Sequence, residues 1–323
     1  MTAGRVGGRS ALERGGGVVN DSNPYTSGSL RVDPEGIGRL LADFVARDQC
    51  LPDSATAYEV NSAYGHRVAY RHRPAAAANL PGILFIGGFR SAMVGIKARW
   101  LDHLAQAWGC GYTRFDPLGH GETGGGFEKG DITTWLSDTL TILDKVTQGP
   151  LILIGSSMGG WLMTLAALAR PDRLAGLIGI AAAPDFTARL IEPRLTPALR
   201  AALDRDGVFF RASAYGDPDP ITARLLADGC KNLVLDREHS MPVPVRLLHG
   251  TEDTDVPYDC SLALAQSLKS PDLRVTLLKG GDHRLSHSRD LTVLAQTLAE
   301  LASESLKNSG NFRGEITASL TSD

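Results

Sequence analysis

One serine in this chain has the surroundings of a nucleophile, and the side chains such a serine needs follow it in sequence. Ser157 is the centre of Gly155-Ser156-Ser157-Met158-Gly159. In a Gly-x-Ser-x-Gly pentapeptide the glycines let neighbouring backbone approach a strained turn without a clashing Cβ. Ser156 has Ile154 two residues before it and fits the pattern less well. A serine hydroxyl attacks an acyl carbon when a base takes its proton, and that base needs an acid to hold its tautomer and stabilise the imidazolium. The chain order nucleophile, acid, base puts both partners after Ser157. Three histidines lie there beyond a core strand. His283, in the glycine-rich Lys279-Gly280-Gly281-Asp282-His283-Arg284, follows the last apolar strand and is the expected base. His249 precedes the acidic loop and fits the order badly, and His287 lies beyond the glycine-rich loop.

The acid belongs after the penultimate strand, where Gly250-Thr251-Glu252-Asp253-Thr254-Asp255-Val256-Pro257 supplies three carboxylates. Asp253 has the favoured spacing from the glycine that ends the strand, Asp255 is second, and Asp185, after the preceding strand, is third. Asp282 beside the base reads as a turn or helix cap, the commoner fate of aspartate. An oxyanion in this layout is met by the N–H of the residue after the nucleophile, Met158, and by an N–H from the loop after an earlier strand, here Phe89 in Gly87-Gly88-Phe89-Arg90-Ser91. Arg90 beside it is a candidate substrate-binding cation for a carboxylate or phosphate. Two further patterns carry less. Gly119-His120-Gly121-Glu122-Thr123-Gly124 matches a dinucleotide loop but no helix begins at its last glycine. His283-x-x-x-His287 has metal-ligand spacing without the glutamate base of a metalloprotease. No cofactor and no metal are expected.

These residues need a scaffold that brings three distant loops to one edge. Leu151 to Ile154 and Gly82 to Ile86 are continuous apolar runs, the mark of strands buried on both faces of a parallel sheet. Further strands are expected at Gly111–Phe115, Leu174–Ala183, Val245–Leu248 and Arg274–Leu278, each separated from the next by helix-like sequence. Tyr58–Val60 and Val68–Tyr70 alternate around Tyr64-Gly65-His66 and read as a hairpin. Strand alternating with helix specifies an α/β fold with a mostly parallel, doubly wound sheet and helices on both faces. The stretch from Asp185 to about residue 240 is too long for one crossover and holds four prolines before Asp236. Leaving from the C-terminal end of a strand, it reads as a helical lid over the site. Its apolar residues Leu190, Ile191, Leu195, Leu199, Phe209, Phe210 and Leu225 are candidates for an acyl pocket.

The rest of the chain is organised around residues 57–307. Residues 1–33, rich in Gly, Ser, Asn and Pro, are expected to lack order; residues 34–56 form a helix and linker; residues 308–323 read as a loose polar tail. The first seventeen residues hold Arg5, Arg9 and Arg14 against Glu13, but no apolar core for a secretory signal and little amphipathic helix for a mitochondrial transit peptide. A net charge of −3 over 323 residues, with no basic cluster, argues against nucleic acid as a partner. Four scattered cysteines suggest neither a zinc cage nor a disulfide framework and fit a reducing compartment, with the cytoplasm first and the mitochondrion second. No run reaches the roughly 18 to 20 apolar residues that span a bilayer.

Taken together, the motifs resemble the α/β-hydrolase superfamily from about Ala57 to Leu306. They are most similar to the branch of mitochondrial palmitoyl-protein thioesterase, also described as an acyl-glucuronide esterase, and its bacterial relatives. The resemblance is carried by Gly88-Phe89-x-Ser91 with Lys97, Arg114-Phe115-Asp116 with Gly119-x-Gly121, Gly155 to Met163, Leu247 to Gly250 with Asp253 and Val256-Pro257, and Asp282-His283-Arg284. It implies a serine hydrolase of esters and acyl thioesters using Ser157, Asp253 and His283, acting on small acylated molecules or acylated proteins, with Asp116 anchoring a loop. The alternative from another class is a catalytically idle scaffold that binds a ligand or partner. A scaffold has no need to keep serine, acid and histidine in order.

Overall fold

The computed structural model describes residues 34–48, 55–76, 80–213 and 216–319, so the expected disordered stretch 1–33 lies outside it. Helix α1 (Pro34–Asp48) precedes the antiparallel hairpin of β1 (Tyr58–Asn61) and β2 (Arg67–Arg73), which turns at Gly65 with a φ of 82°. Strand and helix then alternate through β3 (Gly82–Ile86), α2 (Ile96–Trp108), β4 (Gly111–Asp116), α3 (Ile132–Lys145), β5 (Leu151–Ser156), α4 (Met158–Ala169) and β6 (Leu174–Ile180). The lid contains α5 (Pro197–Asp206), a hairpin of β7 (Val208–Arg211) and β8 (Asp219–Thr222), and α6 (Ala223–Gly229). The chain ends through β9 (His239–Ser240), β10 (Val245–Gly250), α7 (Asp259–Ser267), β11 (Leu268–Lys269), β12 (Leu273–Leu278) and α8 (Ser288–Ser319).

The main sheet has the order β1-β2-β4-β3-β5-β6-β10-β12. β2 runs antiparallel to β4, and every pairing from β4 through β12 is parallel. Parallel strands joined by crossover helices present their C-terminal ends along one edge, and the loops that leave there come together. Alternation within each strand builds two cores. Leu151 and Leu153 of β5 pack with Trp135, Trp161 and the lid, while Ile152 and Ile154 pack on the other face with Trp100, Phe44 and α8. Burial of such side chains is worth about 1.5–3 kcal/mol each, so a strand apolar on both faces is stable only between two helical layers. Three of the four buried tryptophans donate their indole N–H to a carbonyl: Trp100 to Leu291, Trp135 to Leu118 and Trp161 to Asn232.

Two features depart from the sequence reading. The lid is not purely helical: Val208-Phe209-Phe210-Arg211 pairs with Asp219–Thr222 as a hairpin, as suits a run of branched and aromatic residues. The last helix continues through Ser319 rather than giving way to loose chain near Asn308, since adding residues to a nucleated helix is far easier than starting one.

Candidate active site

Strand β5 delivers Ser157 into a sharp turn before α4. Its backbone has φ 55° and ψ −121°, a conformation that costs an L-residue free energy and persists only where the surroundings over-determine it. Here they do. Ser157 N donates to Ile180 O at 2.9 Å, and Ser157 O accepts from Gly160 N at 2.8 Å and from Ala183 N at 3.0 Å. A Cβ on Gly159 would lie 2.1 Å from Ile86 O, and one on Gly155 would lie 2.3 Å from Gly159 O. These two glycines therefore allow the backbone contact that forms the elbow. Among the described residues, five non-glycine residues have positive φ, and Arg90, Ser157, Ala181, Asp185 and Leu285 all lie on loops leaving the C-terminal edge of the sheet or beside them.

His283, on the loop between β12 and α8, spans the gap between nucleophile and acid. Its Nε2 lies 3.0 Å from Ser157 Oγ and its Nδ1 lies 2.7 Å from Asp253 Oδ2. Asp253 Oδ1 accepts from the backbone N–H groups of Asp255 at 3.0 Å and Val256 at 2.8 Å. Burial works to raise the Asp253 pKa, yet hydrogen bonds from His249 and His283 and the backbone of Val256 outweigh it and hold the carboxyl well below the usual range. Asp253 is thus the carboxylate that faces the imidazole. Asp255 is exposed and contributes its backbone N–H, not its side chain, to the relay.

Asp185 is elsewhere. Both its oxygens accept backbone N–H groups from the far end of the lid, Val234 and Leu235, each at 2.9 Å. Its carboxyl clasps the lid root, both oxygens engaged there and neither bonded to His283. Asp116 anchors two loops, accepting from Met93 N at 2.6 Å and Glu122 N at 2.8 Å. One glycine of the dinucleotide-like stretch is explained by this clasp, since a Cβ on Gly121 would lie 2.0 Å from Asp116 Oδ2, while one on Gly119 would lie 2.5 Å from Phe127 Cα. His249 was assigned no role by its place in the chain, yet its Nε2 lies 3.2 Å from Asp253 Oδ2. The four-residue spacing between them is the only trace of this in sequence, and a turn between them makes it unreadable as a helical pair.

Met158 begins α4, so its N–H belongs to the first turn and has no carbonyl of that helix to bond. Facing it, Gly88 packs so closely that a Cβ there would lie 3.1 Å from Ser157 Cβ. The Phe89 ring is locked in an aromatic box, 4.9 Å from Phe127 and 5.8 Å from Phe186 between centroids. Arg90 lines the same cavity, but its Nη1 donates to Asp217 O and Pro218 O of the lid, each at 2.8 Å. The cavity measures about 650 Å³ and is bordered by Ser157, His283, Phe89, Met158, Phe186, Leu190 and Val256, among others. Of the seven lid residues offered for an acyl pocket, Leu190 alone lines it. Ile191, Phe209 and Leu225 are buried in the core, Leu195 and Leu199 pack against it, and Phe210 is exposed.

Among the described residues, carboxylate and imidazole atoms converge in two clusters that could hold a metal ion, Asp253 with Asp255 and His283, and Asp282 with His287 and Asp290. The first is the relay itself. His283 and His287 fall in different clusters, so their helical spacing does not bring them to one ion.

A nucleophile elbow on a mostly parallel α/β sheet, with acid and imidazole on the next loops along the edge, defines a serine hydrolase of the α/β type. Residues 83–297 match the model of the alpha/beta hydrolase family, and the chain belongs to that family. It is 37% identical over 232 residues to the mitochondrial palmitoyl-protein thioesterase ABHD10 of Mus musculus, covering 68% of this chain and 75% of that protein. Its fold is similar to a crystal structure from Agrobacterium vitis S4, with a TM-score of 0.73 and 37% identity over 78% of this chain and 100% of that one. It is also similar to alpha/beta hydrolase domain-containing protein 10 from mouse, with a TM-score of 0.71 and 34% identity over 77% and 99% of the two chains. The chain is therefore an enzyme of the hydrolase class acting on ester-type bonds.

Proposed function

We propose that the protein cleaves carboxylic esters or acyl thioesters through an acyl-enzyme on Ser157. The observation that carries this reading is the imidazole of His283, within hydrogen-bond reach of Ser157 Oγ at 3.0 Å and of Asp253 Oδ2 at 2.7 Å. As the hydroxyl attacks the acyl carbon, Nε2 takes its proton and Asp253 stabilises the imidazolium; Nε2 then protonates the leaving alkoxide or thiolate. The N–H groups of Met158 and Phe89 would meet the oxyanion, with the dipole of α4 aimed at it. Water, deprotonated by the same imidazole, releases the acid.

The substrates we infer are small acylated molecules or acylated proteins, by likeness to relatives named palmitoyl-protein thioesterase. Those relatives are also named mitochondrial, which favours the mitochondrion over the cytoplasm. No helix of the described residues is long and apolar enough to cross a membrane. The decisive experiment is labelling with a fluorophosphonate, expected in wild type and lost in Ser157→Ala. Equal labelling of both would remove Ser157 as nucleophile, and an unlabelled, unreactive wild type would return the idle scaffold. Acyl length is read from kcat/KM on 4-nitrophenyl esters and acyl thioesters. Each methylene that enters apolar surroundings adds up to about 0.8 kcal/mol, so a rise with length supports a long acyl pocket and a fall beyond short chains sinks it.

A further inference from the structure

The acid of the relay is held by a second imidazole. His249, at the end of β10, is 0% exposed and has partners on both ring nitrogens. Its Nε2 lies 2.9 Å from Val256 O and 3.2 Å from Asp253 Oδ2, and its Nδ1 lies 2.7 Å from Ser261 Oγ on α7. A carbonyl only accepts, so Nε2 carries the proton and shares it between Val256 and Asp253. In the neutral tautomer the Ser261 hydroxyl donates to Nδ1. We propose that His249 is a positioning residue that fixes the Asp253 carboxylate and draws charge from the oxygen His283 uses. This rests on the reading of Asp253 as the acid of the relay.

The Asp253 carboxylate meets four donors: two backbone N–H groups on Oδ1 and the two imidazoles on Oδ2. A carboxylate has about four lone-pair sites, so this set leaves it fully satisfied and without freedom to rotate. The loops carrying acid and base are joined independently of His249. Thr251 N donates to Leu278 O at 3.0 Å, Glu252 N to Gly281 O at 2.9 Å and Gly280 N to Thr251 Oγ1 at 2.9 Å. Losing the His249 donor therefore leaves the loops in register and changes the orientation and charge of one oxygen. That oxygen becomes a stronger acceptor for His283, stabilises its imidazolium and raises the pH at which the base becomes free. The other titratable groups around Asp253 do not mimic this. The Cys260 thiol is pushed up to about 11 by burial, with the charges of Asp259 and Asp253 adding to it, so it stays neutral at the pH of the assay. The Asp255 side chain is exposed and Glu252 is exposed on the same loop.

The test is the pH profile of kcat/KM on 4-nitrophenyl butyrate for wild type, His249→Phe and His249→Gln. His249→Phe keeps ring volume without a donor. It is expected to lose kcat by about 10- to 100-fold, as when a partner that orients a metal-bound histidine is removed. Its acidic limb should move up by about half a pH unit or more, since that limb reports the free base. His249→Gln restores a donor and should recover most of both. A His249→Phe limb at the wild-type pH, or a Gln variant no better than Phe, overturns the proposal. Where His249→Phe does not fold, Ser261→Ala, which frees the ring without touching Asp253, must move the limb in the same direction, and an unmoved limb overturns it. Failure of the broader functional reading looks different, because wild type itself would then show no Ser157-dependent turnover.

Discussion

At the residue scale, the histidines divide between chemistry and stability, and His120 belongs to the second group. It is 2% exposed among Phe127 and Trp135, and burial lowers its pKa from 6.5 to about 4. Between those two pH values the unfolded chain binds a proton that the folded chain does not, so stability falls as pH drops through the window. The full loss is about 3 kcal/mol, complete near pH 4 and absent above pH 7. Urea melts of wild type and His120→Gln at pH 7.5 and pH 5 are expected to differ in slope, with wild type losing about 2 kcal/mol more; parallel losses would remove His120 as the titrating group. Within the relay, Asp253→Asn favours the wrong tautomer of His283 and is expected to cut turnover by about 10⁴-fold with the fold intact. Asp255→Asn should change it little, and the reverse order would shift the acid to Asp255. That Ser157, Asp253 and His283 come together was legible in sequence, because the chemistry proposed for them requires fixed neighbours and a fixed order. His249 was not, because its contact depends on how the turn from Gly250 to Val256 folds back, which no residue type reports.

At the scale of elements, continuous apolar runs marked β3 and β5, since burial on both faces demands them, while alternation marked the β1–β2 hairpin at the sheet's exposed edge. The β7–β8 hairpin escaped because Val208-Phe209-Phe210 is an apolar run of only three residues, shorter than the runs of β3 and β5, and its partner strand contains Pro220. The inward packing of Ile191, Phe209 and Leu225 was equally hidden: an apolar residue in a lid looks the same whether it faces core or cavity. Glycines give the sharpest test of what the elbow tolerates. A Cβ at Gly159 collides with backbone of β3 and its loop, which cannot move aside as a flexible side chain would. Gly159→Ala is therefore expected to cost at least the roughly 1–3 kcal/mol of core overpacking and to abolish labelling of Ser157. Gly38 in α1 meets nothing within 4 Å, and Gly38→Ala should raise stability by about 0.5–1 kcal/mol. Thermal melts of the pair decide this, and equal effects would mean the elbow has slack that these contacts deny.

At the scale of the whole molecule, the lid is fastened to the catalytic body at several points. Asp185 closes its root, Asp228 of α6 accepts from Thr133 N of α3 at 2.8 Å, and Arg90 holds its tip through Asp217 O and Pro218 O. The last contact is unlike the others, because Arg90 follows Phe89, whose N–H is proposed for the oxyanion. Lid tip and oxyanion loop are thereby joined through adjacent residues, and this tie competes with the role of substrate-binding cation that the place of Arg90 beside Phe89 suggests in sequence. The two roles predict different kinetics for Arg90→Ala. Released from the core, the tip should raise KM most for long acyl groups that reach beneath the lid, with kcat on acetyl esters changed little, and amide exchange in Val208–Arg211 and Asp219–Thr222 should quicken. A cation that binds substrate directly would instead lose affinity only for anionic substrates, by a similar factor at every acyl length and with exchange in the hairpin unchanged. Chain-length series on neutral and carboxylate-bearing esters, run beside hydrogen exchange of the unliganded protein, separate the two. Unchanged exchange together with a length-independent loss would overturn the tie.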